Sequence, residues 1–207
     1  MLLKRVVSFF STLIVLAVVL APGAGRSQDS SEGAKTFVAG LADQAINALT
    51  FPDISKEERS KRFRVLLKDN FDVNTIARWV LGRYWNKANE AEQKEYLTLF
   101  EDLLVVTYVD RFANYAGESL NVTKSVAINE KDTVVYSEIV RTKGEAPVHV
   151  DWRLRTNELK FKIIDVMVEG VSMGQTQRSE FASVIRQNGG KLESLLVELR
   201  KRVSNDA

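Results

Sequence analysis

The 207-residue sequence contains no cysteine, a single histidine and three prolines. The missing cysteines exclude disulfides, thiolate metal ligands and cysteine nucleophiles together. They also exclude the acylated cysteine that tethers a lipoprotein. One histidine with no cysteine cannot assemble the usual zinc-ligand set. No G-x-G-x-x-G, Walker or EF-hand loop occurs, and no G-x-S-x-G nucleophile elbow. No internal repeat or low-complexity tract is visible. The longest largely apolar run, Val6 to Ala21, has 16 residues and is broken only by Ser8, Ser11 and Thr12, short of the roughly 20 that span a bilayer.

What is there begins with that run. Lys4-Arg5 precede it and Pro22-Gly23-Ala24-Gly25 end it with small residues. Charged start, short apolar centre and small-residue end read as a secretory signal peptide over residues 1–27. The alternative is an uncleaved anchor, against which both length and flanks argue. Residues 28–207 then form one domain. Lys4, Arg5 and Arg26 are three of the 29 basic residues, so 26 remain against 27 acidic. The basic balance of the whole chain therefore gives no reason to expect a nucleic-acid partner. An exported chain without a lipid anchor belongs in a bacterial periplasm. Hydrophobic content of 45% and charge of 27% fit an ordinary soluble domain with a core.

The stretch Val148 to Met173 organises the rest. Val148, Val150, Trp152 and Leu154 alternate with His149, Asp151, Arg153 and Arg155, the period-2 pattern of a half-buried strand. Thr156-Asn157 reads as a turn into a second run, Leu159–Val168, whose doubled Ile163-Ile164 suggests a bulge. Leu120–Asn129 and Thr133–Thr142 read as two further strands. The breaks between all four are short, and short connections require antiparallel neighbours. On either side lie helical patterns. Ala34–Leu49 carries Phe37, Val38, Leu41 and Ala45 at helical spacing. Ser55 with Glu58 caps a helix to Asn70. Asp72 caps Val73–Leu81, which ends at Gly82. Asn89 opens a long helix to Tyr115 whose apolar positions widen after Tyr96, as in a helix enclosed on most sides. Ser172 caps a helix to Gln187, and Leu192, Leu195, Leu196 and Leu199 mark a last one. Residues 28–34 read as loose. The expected class is α+β: a four-stranded antiparallel meander covered on one face by helices, with helices N-terminal to it and two C-terminal.

His149 and Asp151 share a strand face, but a polar solvated face explains them better than a general base does. The apolar excess is more unusual. Val134, Tyr136 and Val140 alternate with Val135 and Ile139; Phe161, Ile163 and Met167 alternate with Ile164, Val166 and Val168. Periodicity does not separate a filled core from a hollow one.

Several blocks in order resemble the MlaC/toluene-tolerance family. They are Phe71-Asp72-Val73 through Ala77-Arg78, Val80-Leu81-Gly82-Arg83-Tyr84-Trp85, Tyr115-Ala116-Gly117-Glu118 and Val150-Asp151-Trp152-Arg153. Lys162 to Val166, Val168-Glu169-Gly170-Val171-Ser172 and Arg178-Ser179-Glu180-Phe181 complete the set. The resemblance covers residues 34–200. It implies a periplasmic carrier, not an enzyme, that binds phospholipid acyl chains in an apolar cavity between sheet and helices. It also implies partners: an outer-membrane lipoprotein complex and an inner-membrane ABC transporter complex with a lipid-binding periplasmic domain. The carrier would be a monomer needing no cofactor and no metal. A hopanoid or other polycyclic lipid is the alternative cargo. Side chains expected against lipid are Leu104, Tyr108, Phe112, Val134, Tyr136, Val150, Trp152, Phe161, Ile163 and Met167. Gly82, Gly170 and Ser172 are expected to serve the fold, and Asp165 to pair with Arg153 across neighbouring strands.

Overall fold

A computed structural model describes residues 24–142, 144–157 and 160–206. Most of the expected signal peptide, residues 1–23, lies outside the described residues. Among the described residues no helix is long and apolar enough to cross a membrane.

Four polar side chains set the helix starts. Ser55, Asp72, Asn89 and Ser172 each accept a hydrogen bond from the backbone N–H three residues on, satisfying a donor that has no partner within the helix. Asn89 and Glu92 form a reciprocal capping box. Ser55 makes only half of one, because the Glu58 carboxylate turns to Arg62 at 2.7 Å. The helices are α1 (Ala24–Leu49), α2 (Lys56–Asn70), α3 (Val73–Leu81), α4 (Glu90–Ala113), α5 (Met173–Gln187) and α6 (Leu192–Asp206), with a 3-10 segment at Gly82–Lys87. Helix α1 begins at Ala24, so residues 28–34 are helical, not loose. Their polar composition lacks the apolar stripe by which the sequence marks a helix.

The strands β1 (Ser119–Ala127), β2 (Asp132–Val140), β3 (Val148–Asn157), β4 (Lys160–Val168) and β5 (Val171–Ser172) form one antiparallel sheet in chain order. The fold is α+β, but with five strands where four were expected. Glu169 and Gly170 take φ of 49° and 77°, the positive values of a two-residue hairpin turn. Two residues of strand leave no period to read. The expected break at Thr156-Asn157 is instead the end of β3, and the connecting residues 158 and 159 lie outside the described residues.

Two apolar clusters hold the chain. One is wholly helical, joining α2 to α6, with Tyr96, Phe100 and Phe181 at its centre; their ring centroids lie 5.8 to 6.3 Å apart. The Tyr96 hydroxyl donates to the Ala77 carbonyl at 2.9 Å, and burial pushes its phenol pKa far above the ordinary value. The breadth of apolar positions on α4 is thus explained by α2, α3 and α6 packed around it. The second cluster lies between α1 and the sheet. Phe71 packs against both. It bridges to Ile163 on β4, while Lys162 Nζ donates to the carbonyls of Lys68 and Asp69 at the end of α2. The end of α1 is tied down by buried Arg59, whose Nε donates to the Leu49 carbonyl at 2.9 Å.

Candidate functional site

The registers decide which side chains share a face, since residues directly opposite in an antiparallel pair point the same way. Val135 faces Trp152, and Ser137 faces Val150. Across the next pair, Trp152 faces Val166, Val150 faces Val168, and Thr156 faces Phe161. Val135, Leu154 and Ile163 pack with Ala34, Val38 and Leu41 of α1, and Trp152, Phe161 and Val166 flank them. This is therefore the helix-facing side of the sheet. Phe161 lies beside Phe37, centroids 5.8 Å apart. A Cβ on Gly33 of α1 would sit 3.2 Å from the Phe161 ring, so a glycine admits the close approach of helix and strand.

The covering is uneven. Val135, Leu154 and Ile163 are fully buried. Ile139, Val148, Trp152, Val166 and Val168, on the same face, stay half-buried. Val148, Val150 and Val168 belong to neither packed cluster. Two buried polar side chains stand there, Thr133 and Ser137; Ser137 Oγ donates to the Val150 carbonyl at 2.5 Å and accepts from Trp152 Nε1 at 2.9 Å. The face is a wall of apolar groups, and among the described residues no buried side-chain polar atom on it lacks a hydrogen-bond partner.

Of the ten side chains expected against lipid, Val150, Trp152, Phe161 and Ile163 stand on this face. Val134, Tyr136 and Met167 stand on the opposite one, across from Arg153, Asp151 and Asp151 respectively. There Lys124 Nζ lies 4.6 Å from the Tyr136 ring centroid. Leu104, Tyr108 and Phe112 are half-buried on α4. Leu104 flanks the helical cluster, Phe112 meets Phe63 of α2 at 5.8 Å, and Arg111 lies over Tyr108. The helix laid along the sheet is α1, not the long α4. Ile139, Val166 and Val168 on this face, and Phe37 of α1 against it, are not among the ten expected contacts. The bulge was the available signal: the register slips between Arg153 and Leu154, which puts Val166 and Val168 with Ile163 and turns Met167 away.

On the far face, Asp132 sits 3% exposed between Arg153 at 2.9 Å and Arg155 at 2.8 Å. The hydrogen bond from Arg155, helped by that from Arg153 and opposed by burial, holds its carboxyl down to about 2. Asp165 does not pair with Arg153 as expected, although they are opposite in the register. Its oxygens accept from the backbone N–H of Val166 and Gly174 and the Ser172 hydroxyl. Asp132 is the acid Arg153 meets. His149 is exposed, its Nδ1 3.6 Å from Glu138. A groove of about 510 Å³ with a floor of Val105, Val106 and Val109 runs between α2, α4 and α6, rimmed by Lys56, Arg64 and Asp102. No group of three or more metal-binding side chains occurs among the described residues.

Sheet and helices define an α+β protein that presents a half-covered apolar wall between its two layers. The model of the MlaC protein family matches residues 40–201, and the chain belongs to that family. Its fold is that of the phospholipid-binding protein from Ralstonia solanacearum, solved in complex with a phospholipid. The TM-score is 0.75 at 24% identity, over 83% of this chain and 97% of that one.

Proposed function

We propose that the protein is a periplasmic phospholipid carrier, a binding and transport protein and not an enzyme. Residues 1–27 direct export and are removed, and residues 28–207 act as a monomer. The acyl chains lie against the helix-facing wall of the sheet, with Trp152, Val150, Phe161 and Ile163 as contacts. Val148, Val166 and Val168 extend that wall, and Phe37 of α1 meets it from the helix side. The lipid passes between an outer-membrane lipoprotein complex and an inner-membrane ABC transporter complex.

The observation that carries this reading is the half-buried state of Trp152 and its neighbours on the side of the sheet that faces the helices. Apolar groups turned inward yet incompletely covered invite a ligand. Each CH₂ moved from water into such a site contributes roughly 0.8 kcal/mol, so long chains dominate affinity and the head group adds little. Membership of the MlaC family and the fold shared with a protein solved with bound phospholipid support the same reading.

Native mass spectrometry of the purified chain, with extraction of any bound lipid, tests it. The expected result is a co-purifying phospholipid, and its uptake from vesicles after delipidation. A polycyclic lipid in its place moves the reading to that cargo. No bound lipid and no uptake overturns it.

A further inference from the structure

Two sequence blocks far apart in the chain meet at Gly82. The Arg178 guanidinium from α5 lies over it, Nη2 3.0 Å from where a Cβ would stand, and Nη1 donates to the Trp79 carbonyl at 2.8 Å. Arg178 also stacks on the Trp79 ring, 5.3 Å from its centroid. Beneath that ring is Gly174, where a Cβ would come within 2.8 Å. Trp79 is 43% exposed yet held between an arginine and a glycine. Within the same stretch of chain Arg78 stacks on Trp85 at 5.0 Å and Arg83 on Tyr84 at 5.1 Å.

These three arginines differ from most others in the protein. Arg62, Arg64, Arg141, Arg153, Arg155, Arg200 and Arg202 each meet a carboxylate. Arg78, Arg83 and Arg178 form no ion pair among the described residues. The nearby Asp165 is occupied by Ser172 and two backbone N–H groups. A guanidinium stacked by its face keeps N–H donors along its edge, and those donors match carboxylates in pairs. Stacking also removes much of the rotamer entropy that an arginine otherwise loses on binding.

We propose that residues 78–85 and the first turns of α5 form the docking surface for a protein partner that presents clustered carboxylates. Fixed arginines and a rigid, part-exposed tryptophan are the composition of an interface hot spot. A bilayer is the poorer match. Insertion needs several protruding apolar groups, and here the large exposed ring is clamped on both sides. The proposal rests on the carrier reading in one respect only: a carrier must meet a donor and an acceptor.

The test uses the full mature chain and a decaglutamate peptide as the carboxylate probe. The indole N–H resonances of the three tryptophans report position. Trp79 and Trp85 should shift saturably at low salt, and Trp152 should not. Arg78→Gln with Arg83→Gln should weaken the peptide at least tenfold, while Lys124→Gln with Lys131→Gln, which removes the same charge from β1 and the turn after it, should not. Lipid occupancy measured by native mass spectrometry on the same samples keeps the two readings apart. A double arginine variant that stays lipid-loaded and loses the peptide supports docking here. Absence of lipid in every sample counts against the carrier and leaves the peptide result standing. No shift, equal shifts in both double variants, or shifts produced by phosphatidylcholine–phosphatidylglycerol vesicles and not by the peptide overturns the proposal.

Discussion

Trp152 donates its indole N–H to Ser137 across the β2–β3 pair, at 2.9 Å. The serine hydroxyl in turn donates to the Val150 carbonyl. One small side chain thereby lets a polar tip and a backbone oxygen lie on an apolar wall without an unmet hydrogen bond. Ser137→Ala removes both bonds. Ser137 is 2% exposed, so water replaces it poorly on the carbonyl side. The expected loss is about 1–3 kcal/mol. Urea titration should give a lower midpoint with an unchanged slope. A midpoint equal to that of the parent would remove this linkage from the account.

Gly174→Ala tests the closest packing between α3 and α5. The new Cβ would lie 2.8 Å from the Trp79 ring and 3.1 Å from Asp165 Oδ1, and both must shift. Overpacking of this kind typically costs about 1–3 kcal/mol. Trp79→Ala in the same chain should recover part of the loss, since the ring is then gone. A double-mutant cycle measures that recovery as a coupling energy. Strict additivity of the two changes would mean that helix and ring do not collide.

How far the fold is legible in the sequence follows from the same residues. The caps at Ser55, Asp72, Asn89 and Ser172 are local chemistry, and the sequence marks each of them. The alternation of Val148 to Arg155 is equally local. What it does not carry is the register of β2 against β3. Both parities of β2 hold apolar residues, because Val134 is buried on the far face. The connection from residue 141 to 147 is too long to pin the register by its turn geometry. The bulge was legible as Ile163-Ile164, yet the facing of Met167 follows only once that extra residue is carried through the whole strand. The role of α1 is hidden differently. Its stripe of Ala34, Phe37, Val38 and Leu41 is plain, but nothing local says whether α1 or α4 covers the sheet.

Asp132 gives a dependence on pH with a definite sign. Its folded carboxyl is held at about 2, below the ordinary 3.8. A depressed carboxylate stabilises the fold fully above its unfolded pKa, and the contribution fades as pH falls from about 4 to about 2. Both arginines are more than a third exposed, so solvent screens the pair and about 1–2 kcal/mol is the reasonable scale. Asp132→Asn should therefore differ most from the parent at neutral pH, and the difference should shrink between pH 4 and pH 2. Denaturant midpoints across that range measure it. A difference that does not change with pH would show that the ion pairs contribute nothing beyond packing.

The two faces of the sheet separate the carrier reading from a general effect of stability. Trp152 and Tyr136 are both half-buried aromatics in adjacent strands, but the register turns them to opposite sides. Trp152→Ala opens the helix-facing wall, and Tyr136→Ala removes a ring that lies under Lys124. Truncating a large core aromatic typically costs about 3–5 kcal/mol, and half-buried rings less. Both variants should therefore stay folded and differ in cargo. Lipid occupancy by native mass spectrometry should fall for Trp152→Ala and hold for Tyr136→Ala. Trp152→Phe, which keeps an apolar ring but no N–H, should retain lipid and lose only the bond to Ser137. Equal loss of lipid from the Trp152 and Tyr136 variants would mean that occupancy follows stability and not the facing of the wall. Loss in the Tyr136 variant alone would put the ligand on the other side of the sheet.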